Sequence, residues 1–197
     1  NIFYFRTIED GDEIIKASSS GKKAIIAGGG LISLDFATGF RANGVFDITI
    51  LVREPYYWSD KLDISSSKIL QNNLERNNVK VLTGEEVIGF EPKRGETSSV
   101  GSVTTKSGKF FECDVVGVGI GIKSDLEWLT KAGIKTNRAI VTNEYLETNV
   151  ADVYAAGDCA KFHDVIFDTQ HTVGNWANAT SQGLTAAKNM CGGRTVY

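Results

Sequence analysis

Residues 23–35 read Lys23-Ala24-Ile25-Ile26-Ala27-Gly28-Gly29-Gly30-Leu31-Ile32-Ser33-Leu34-Asp35, and this stretch decides the fold. Its first five residues form a short, almost continuously apolar run, the composition of a parallel strand buried on both faces. Three glycines break the run, and Leu31 to Arg41 then reads as a helix with an apolar face. A strand turning sharply into a helix through Gly-x-Gly is a phosphate cradle. Gly28 permits the tight turn, and Gly30 lets the backbone approach a pyrophosphate. The helix start, with Gly29, Leu31 and Ile32, supplies free N–H groups and the positive end of the dipole. A full dinucleotide fingerprint has a third glycine where this chain has Ser33, a departure expected to widen the helix–strand crossing without removing the anion site. The competing reading of the triplet is a plain tight turn.

Downstream, Ile48 to Val52 is a second buried strand. Asp63 to Asn77 is helical with Asp63 placed to cap it, and Val79 to Leu82 is a third strand. The order β-α-β-α-β gives a parallel sheet by the right-handed crossover rule. The residue ending the second strand reads the adenosine ribose, an acid favouring the 2′-hydroxyl of NAD and an arginine the 2′-phosphate of NADP. The sequence offers both, Arg53 and Glu54, so the nicotinamide is written NAD(P), with Arg53 tilting the reading toward NADPH. Two solvated charges at a strand end remain the bland alternative.

From Glu85 the pattern becomes that of hairpins: Val87–Phe90, Val100–Thr105 and Lys109–Cys113, separated by Pro92-Lys93-Arg94-Gly95 and Ser107-Gly108. A three-stranded antiparallel meander follows from this, leading into a buried strand at Val115–Gly119. Beyond Lys123 the sequence predicts a helix over Leu126–Ala132, short strands at Ala139–Val141 and Val153–Ala155, and a long helix over Trp176–Met190. Upstream, Asn1–Arg6 is strand-like, Thr7 caps a segment carrying Ile8, Ile14 and Ile15, and Ser18-Ser19-Ser20-Gly21 is a polar break. The expected class is α/β: a Rossmann-like dinucleotide-binding domain with an antiparallel meander, plus part of a second α/β domain.

Net charge is −3, so nothing favours nucleic acid or an anionic membrane surface as partner. No apolar run approaches the roughly 20 residues of a membrane helix. Cys113, Cys159 and Cys191 lie far apart in no paired motif, which argues against a disulfide framework, a zinc site or a redox dithiol in this segment. No metal is expected, and a reducing, cytoplasmic location is the default expectation.

Thr148-Asn149-Val150-Ala151-Asp152-Val153-Tyr154-Ala155-Ala156-Gly157-Asp158 closely resembles the second flavin-binding motif of the FAD-dependent pyridine nucleotide-disulfide oxidoreductases. The resemblance covers nearly the whole chain, and its motif order is that of the NADH oxidase, ferredoxin reductase and nitrite reductase branches. It implies that Asp158 binds the ribityl chain of FAD, with Gly157 letting the backbone approach. It further implies that Gly117-Val118-Gly119-Ile120-Gly121 is the turn near the nicotinamide, placing Gly119 and Gly121 at the cofactor. Asp35 stands where many members carry a Glu near the nicotinamide, which makes it the candidate catalytic residue; an inward-facing helix acid capped by its neighbours is the alternative. Trp176 opens the helix whose start would face the flavin, although simple packing serves it equally. His163 and His171 are expected on the surface or in loops rather than in acid–base catalysis.

On this resemblance, residues 1–20 are expected as a linker and edge of the FAD domain, 21–123 as the NAD(P)H-binding domain, and 124–197 as the C-terminal part of the FAD-binding domain. The expected function is hydride transfer from NAD(P)H to FAD and on to an unknown acceptor, either a small molecule or a small redox protein, with homodimerisation compatible. The N-terminal flavin fingerprint of the family is missing here. The chain is therefore expected to be an inactive fragment of a parent about twice as long, in the usual two-domain size range. The alternative is a non-catalytic dinucleotide-binding or redox-sensing module.

Overall fold

The computed structural model describes residues 1–96 and 98–197. The chain forms two compact units, Asn1–Gly121 and Ile122–Tyr197.

The first unit contains β1 (Ile2–Phe3), α1 (Ile8–Ser18), β2 (Lys23–Ala27), α2 (Leu31–Ala42), β3 (Asp47–Val52), α3 (Ile64–Arg76) and β4 (Val79–Thr83). It continues with β5 (Val87–Pro92), β6 (Val100–Thr105), β7 (Phe110–Glu112) and β8 (Val115–Val118). A parallel sheet runs in the order β1-β8-β2-β3-β4, and β5-β6-β7 form an antiparallel meander. Because side chains alternate across a strand, one sheet needs two cores. Ala24 and Ile26 of β2 join Ile48, Ile50 and Val52 of β3 beneath the helices. Ile25 and Leu51 point the other way, against Val100, Val103 and Cys113 of the meander side. This double burial is why the strands read as unbroken apolar runs. It also pushes the Cys113 thiol up to about 12 by desolvation, away from any role as a reactive thiolate.

Local signals set the helix starts. Thr7 accepts from the Asp10 N–H while the Asp10 carboxylate accepts from the Thr7 N–H, a reciprocal cap. Asp63 accepts from the N–H groups of Ser65 and Ser66.

Residues 1–20 pack as part of this unit. Ile2 and Phe3 pair in parallel with Val116 and Gly117 of β8. The Asn1 side chain straps them down, its Oδ1 accepting from the Val100 N–H at 2.7 Å. Without β1, β8 would be an edge strand with unpaired amides in an apolar setting, so this pairing satisfies groups that composition alone does not reveal.

Glu85 ties the meander to the end of β4. Its carboxylate accepts from Thr105 Oγ1 and Ser107 Oγ, each at 2.7 Å, and from Lys109 Nζ at 2.5 Å. These bonds, the Lys109 one foremost, hold the Glu85 pKa down at about 2 from an ordinary 4.5. A depressed carboxylate pKa contributes stability that is full above the unfolded-state value and is lost as pH falls through the folded one. The unfolding midpoint of the wild type is therefore expected to drop between about pH 4.5 and pH 2. Glu85→Gln is expected to lower stability near neutrality and to flatten that acid limb. Equal pH slopes for the two proteins in urea titrations would contradict the assignment.

The second unit contains α4 (Glu127–Lys131), β9 (Ile140–Val141), β10 (Ala160–Asp164), β11 (Thr169–His171) and α5 (Trp176–Met190). Its sheet runs β11-β10-β9, with β10 parallel to β9 and antiparallel to β11. Leu146, Phe162 and Ala186 form its core, and Tyr197 meets Phe162 edge-on at 5.1 Å. Two features differ from the sequence reading. Val153–Ala155 makes an isolated bridge between Glu147 and Tyr154 in place of a strand, and a 3-10 turn (Gly157–Cys159) follows at once. The β10–β11 hairpin, on which His163 and His171 sit, carries only a short alternating signal: Ala160 and Phe162 are buried between Lys161 and His163, and β11 (Thr169–His171) has no aliphatic residue.

Candidate functional site

The first unit carries the glycine loop between β2 and α2. Gly28 has φ +105°, a conformation that L side chains rarely adopt, and a Cβ there would lie 2.3 Å from the Gly119 carbonyl oxygen. Its N–H donates to the Leu51 carbonyl at 2.9 Å, so Gly28 contributes shape to the loop and no free donor. Gly30 is the opposite case. It has an ordinary extended backbone at the α2 N-cap, and a Cβ would meet nothing closer than the Gly119 carbonyl oxygen at 3.9 Å.

The N–H groups of Gly29 and Gly30 donate to no acceptor among the described residues. Those of Leu31 and Ile32 belong to the first turn of α2 and have no intrahelical acceptor. No acid occupies that first turn. The result is a set of converging free donors beside open space at the positive end of a 12-residue helix, and such a site suits a phosphate.

Ser33 is fully buried and its hydroxyl has no hydrogen-bond partner among the described residues. A Cβ on Gly119 would sit 2.6 Å from Ser33 Oγ. The space that the serine takes is therefore supplied by Gly119, and α2 still packs closely on the sheet. One strand turn earlier, a Cβ on Gly117 would strike the Phe36 ring at 2.6 Å. Gly119 thus serves helix packing, whatever else it serves. Gly121 has φ +93° with open space around it.

At the end of β3, Arg53 and Glu54 pair with each other, Nε to Oε1 at 2.7 Å. Their side chains are 72% and 36% exposed, so solvent screens the pair and it holds the two groups only weakly. The hydrogen bond that Arg53 donates to the Glu54 carboxylate raises the Arg53 pKa above its ordinary value. Opening this pair is cheap, so either partner is available to a ribose substituent. Asp35 is exposed on α2, and no hydrogen bond or ion pair to it exists among the described residues. This overturns the alternative of an inward-facing, capped acid.

Sequence reasoning missed the two aromatic residues after β3. Tyr57 is fully buried and touches the loop: a Cβ on Gly29 would lie 3.4 Å from its ring. Burial pushes the Tyr57 phenol up to about 12. Trp58 stacks on it with ring centroids 5.7 Å apart and donates its indole N–H to the Gly29 carbonyl at 2.6 Å. The only sequence signal was Tyr56-Tyr57-Trp58 itself, three aromatic residues where a polar loop is usual.

In the second unit, Gly157 has φ +81° and starts the turn that presents Asp158. Asp158 is exposed, and a Cβ on Gly174 would lie 3.3 Å from its Oδ2. The Gly157 N–H donates to Oε1 of Gln182 at 2.7 Å. Gln182 is fully buried on α5 and was not anticipated, since a lone helical glutamine carries no motif. Asn175 caps α5 by accepting from the Asn178 N–H at 2.8 Å. Trp176 follows with 88% of its surface exposed, which removes packing within this unit as its explanation. The exposed carboxylate, the glycine turn and the first-turn amides of Trp176 and Ala177, which the Asn175 cap does not engage, form a polar surface able to bind hydroxyl-rich or anionic groups.

Comparison with known proteins gives a consistent picture. The family model described as pyridine nucleotide-disulphide oxidoreductase matches residues 1–183. Nitrite reductase [NAD(P)H] of Bacillus subtilis (strain 168) is 31% identical over 191 residues, covering 95% of this chain and 22% of the relative. NADH oxidase of Methanocaldococcus jannaschii is 32% identical over 197 residues, covering 97% and 42%. Putidaredoxin reductase, solved in its covalent complex with putidaredoxin, superposes with a TM-score of 0.88 at 28% identity, covering 98% and 46%. The chain spans less than half the length of each of these relatives. No helix among the described residues is long and apolar enough to cross a membrane.

Proposed function

The chain belongs to the pyridine nucleotide-disulphide oxidoreductase family, and on that premise we propose that it serves an NAD(P)H-dependent flavoprotein oxidoreductase. In this reading, residues 21–123 bind the nicotinamide dinucleotide and 124–197 contribute to the FAD site. The observation that carries it is the open ground over Gly30, faced by the free amides of Gly29, Gly30, Leu31 and Ile32. When bound, the two cofactors supply hydride donor and acceptor chemistry, and the protein's part is to hold and orient them.

Each residue then has a defined task. Gly28 shapes the turn, and the four amides take the pyrophosphate charge. Arg53 and Glu54 meet the adenosine ribose. Gly119 and Gly121 keep the mouth of β8 free of side chains for the nicotinamide end. Asp35, one turn into α2, is the acid proposed to act near the reacting ring. Asp158 accepts hydrogen bonds from ribityl hydroxyls, held by a Gly157 turn that Gln182 anchors. Trp176 offers its exposed ring beside the flavin. The electron acceptor is a small molecule or a small redox protein, a proposal supported by the likeness to putidaredoxin reductase.

The direct test is anaerobic addition of NADPH or NADH to the flavin-loaded protein. Bleaching of the flavin band is the expected result. A flavin that stays oxidised while dinucleotide binds would instead favour a non-catalytic sensing module. For the choice of nicotinamide, Arg53→Glu is expected to lower the ratio of NADPH to NADH affinity by about 10-fold, the worth of one charge-assisted contact to a 2′-phosphate. Titration calorimetry measures it, and an unmoved ratio would reduce Arg53 to a solvated strand-end charge.

A further inference from the structure

We propose that Trp58 is a positioning residue that sets the orientation of the phosphate-binding Gly30 amide by clamping the carbonyl on the far side of the same peptide unit. The inference rests on the glycine loop being the dinucleotide site. In a trans peptide, the C=O of one residue and the N–H of the next point in opposite directions from one plane. No cis peptide occurs among the described residues, so the Gly29 carbonyl and the Gly30 N–H are opposed in this way. The Trp58 indole N–H holds that carbonyl at 2.6 Å. The Gly30 N–H is thereby turned away from Trp58, and it donates to no acceptor among the described residues.

A glycine triplet needs such a clamp. Gly29 and Gly30 have no side chains to fix the plane between them, and glycine peptides reorient more freely than any others. On its other side Gly29 is hemmed by Val52 and Tyr57, whose side-chain atoms lie 3.1 Å and 3.4 Å from where its Cβ would be. These contacts restrict the backbone position, but only the indole bond selects the orientation of the plane.

Trp58 itself is held in a conformation that tryptophan seldom adopts, with φ +56°. Its own carbonyl accepts from the N–H groups of Lys61 and Leu62 at 2.9 and 2.8 Å, and its ring stacks on the buried Tyr57. A non-glycine residue kept in the left-handed region by so many contacts is over-determined by its surroundings, the pattern expected where a side chain has to be aimed. The strand end that carries Arg53 and Glu54 is thus continuous with the segment that orients the loop.

The test compares the wild type with Trp58→Phe, which keeps an aromatic ring over Tyr57 and removes the donor. Calorimetric affinities are measured for NADPH, for ADP-ribose, and for adenosine, which carries the base and ribose without a pyrophosphate. The expected result is a loss of about 3- to 10-fold for NADPH and ADP-ribose, the span of one hydrogen bond, with adenosine unchanged. The Gly30 amide resonance of the ligand-free protein should move as well. Unchanged affinities, or an equal loss for adenosine, would overturn the proposal.

Should Trp58→Phe fail to fold, the wild type still decides. Its Trp58 indole proton should exchange slowly and shift when ADP-ribose is added; a freely exchanging, unmoved indole would overturn the clamp. If the wild type binds ADP-ribose without any shift at Gly29–Ile32, the glycine-loop assignment itself fails, and that outcome is distinct from failure of the clamp.

Discussion

Gly28→Ala is expected to destabilise the first unit by about 2–6 kcal/mol, a large share of the roughly 5–15 kcal/mol available to a typical protein. Two costs combine. The backbone at φ +105° lies where a side chain is strained, worth about 1–3 kcal/mol. The methyl would also sit 2.3 Å from the Gly119 carbonyl oxygen, an overlap with backbone at the end of β8 that no rotamer change relieves. Relief requires β8 to separate from β2, which breaks the bond from the Gly119 N–H to the Ala27 carbonyl. Forced repacking of this kind costs about 1–3 kcal/mol more. In thermal unfolding, each 1 kcal/mol corresponds to about 4 °C for a unit of this size, so a drop of about 8–24 °C is expected. An unchanged midpoint would mean that the loop has another conformation in solution.

Gly30→Val should behave in the reverse way, with a stable protein that no longer binds dinucleotide. The backbone of Gly30 is one that valine adopts, and the nearest atom to its Cβ is 3.9 Å away. The stability cost is that of a poorer helix cap, about 1 kcal/mol. The branched side chain would, however, fill the ground where the pyrophosphate is proposed to lie, displacing it from at least two amide donors. Charge-assisted hydrogen bonds contribute about 1.5–3 kcal/mol each, so the loss should exceed 100-fold in affinity for NADPH and NADH alike. Calorimetry on the folded variant measures it. Retained affinity would remove the loop from the binding site.

The contrast between these neighbouring glycines marks how far the sequence could be read. The pattern Gly-x-Gly between an apolar run and a helix located the loop, because the buried strand and the helix each carry a strong periodic signal. It also gave Gly28 and Gly30 different expected roles, turn and approach, and the left-handed φ of Gly28 and the extended backbone of Gly30 differ accordingly. What lay outside its reach were contacts between residues distant along the chain. Gly119 makes room for Ser33, so a departure from the glycine fingerprint is absorbed by a residue 86 positions away. β1 joins the sheet because β8 has an edge to satisfy. Trp58 reaches back 29 positions to Gly29, and Gln182 reaches back 25 to Gly157. None of these pairings has a local spacing rule.

The sequence also left Arg53 and Glu54 as alternatives that depend on register, whereas the structure pairs them. The β10–β11 hairpin was missed for a different reason. The alternation in β10 rests on Ala160 and Phe162 alone, β11 is polar, and the exposed apolar Val165-Ile166-Phe167 lies at the tip, where a polar turn is usual.

The central claim is that NAD(P)H binds through the amides at the start of α2. A titration of the isotopically labelled chain with NADPH and with NADH, followed by amide resonances, tests it most directly. The expected result is saturable shifts concentrated at Gly29, Gly30, Leu31 and Ile32, with a second group at Arg53 and Glu54. Saturable binding whose shifts leave all four loop amides unmoved, or no binding by the folded chain, would contradict it.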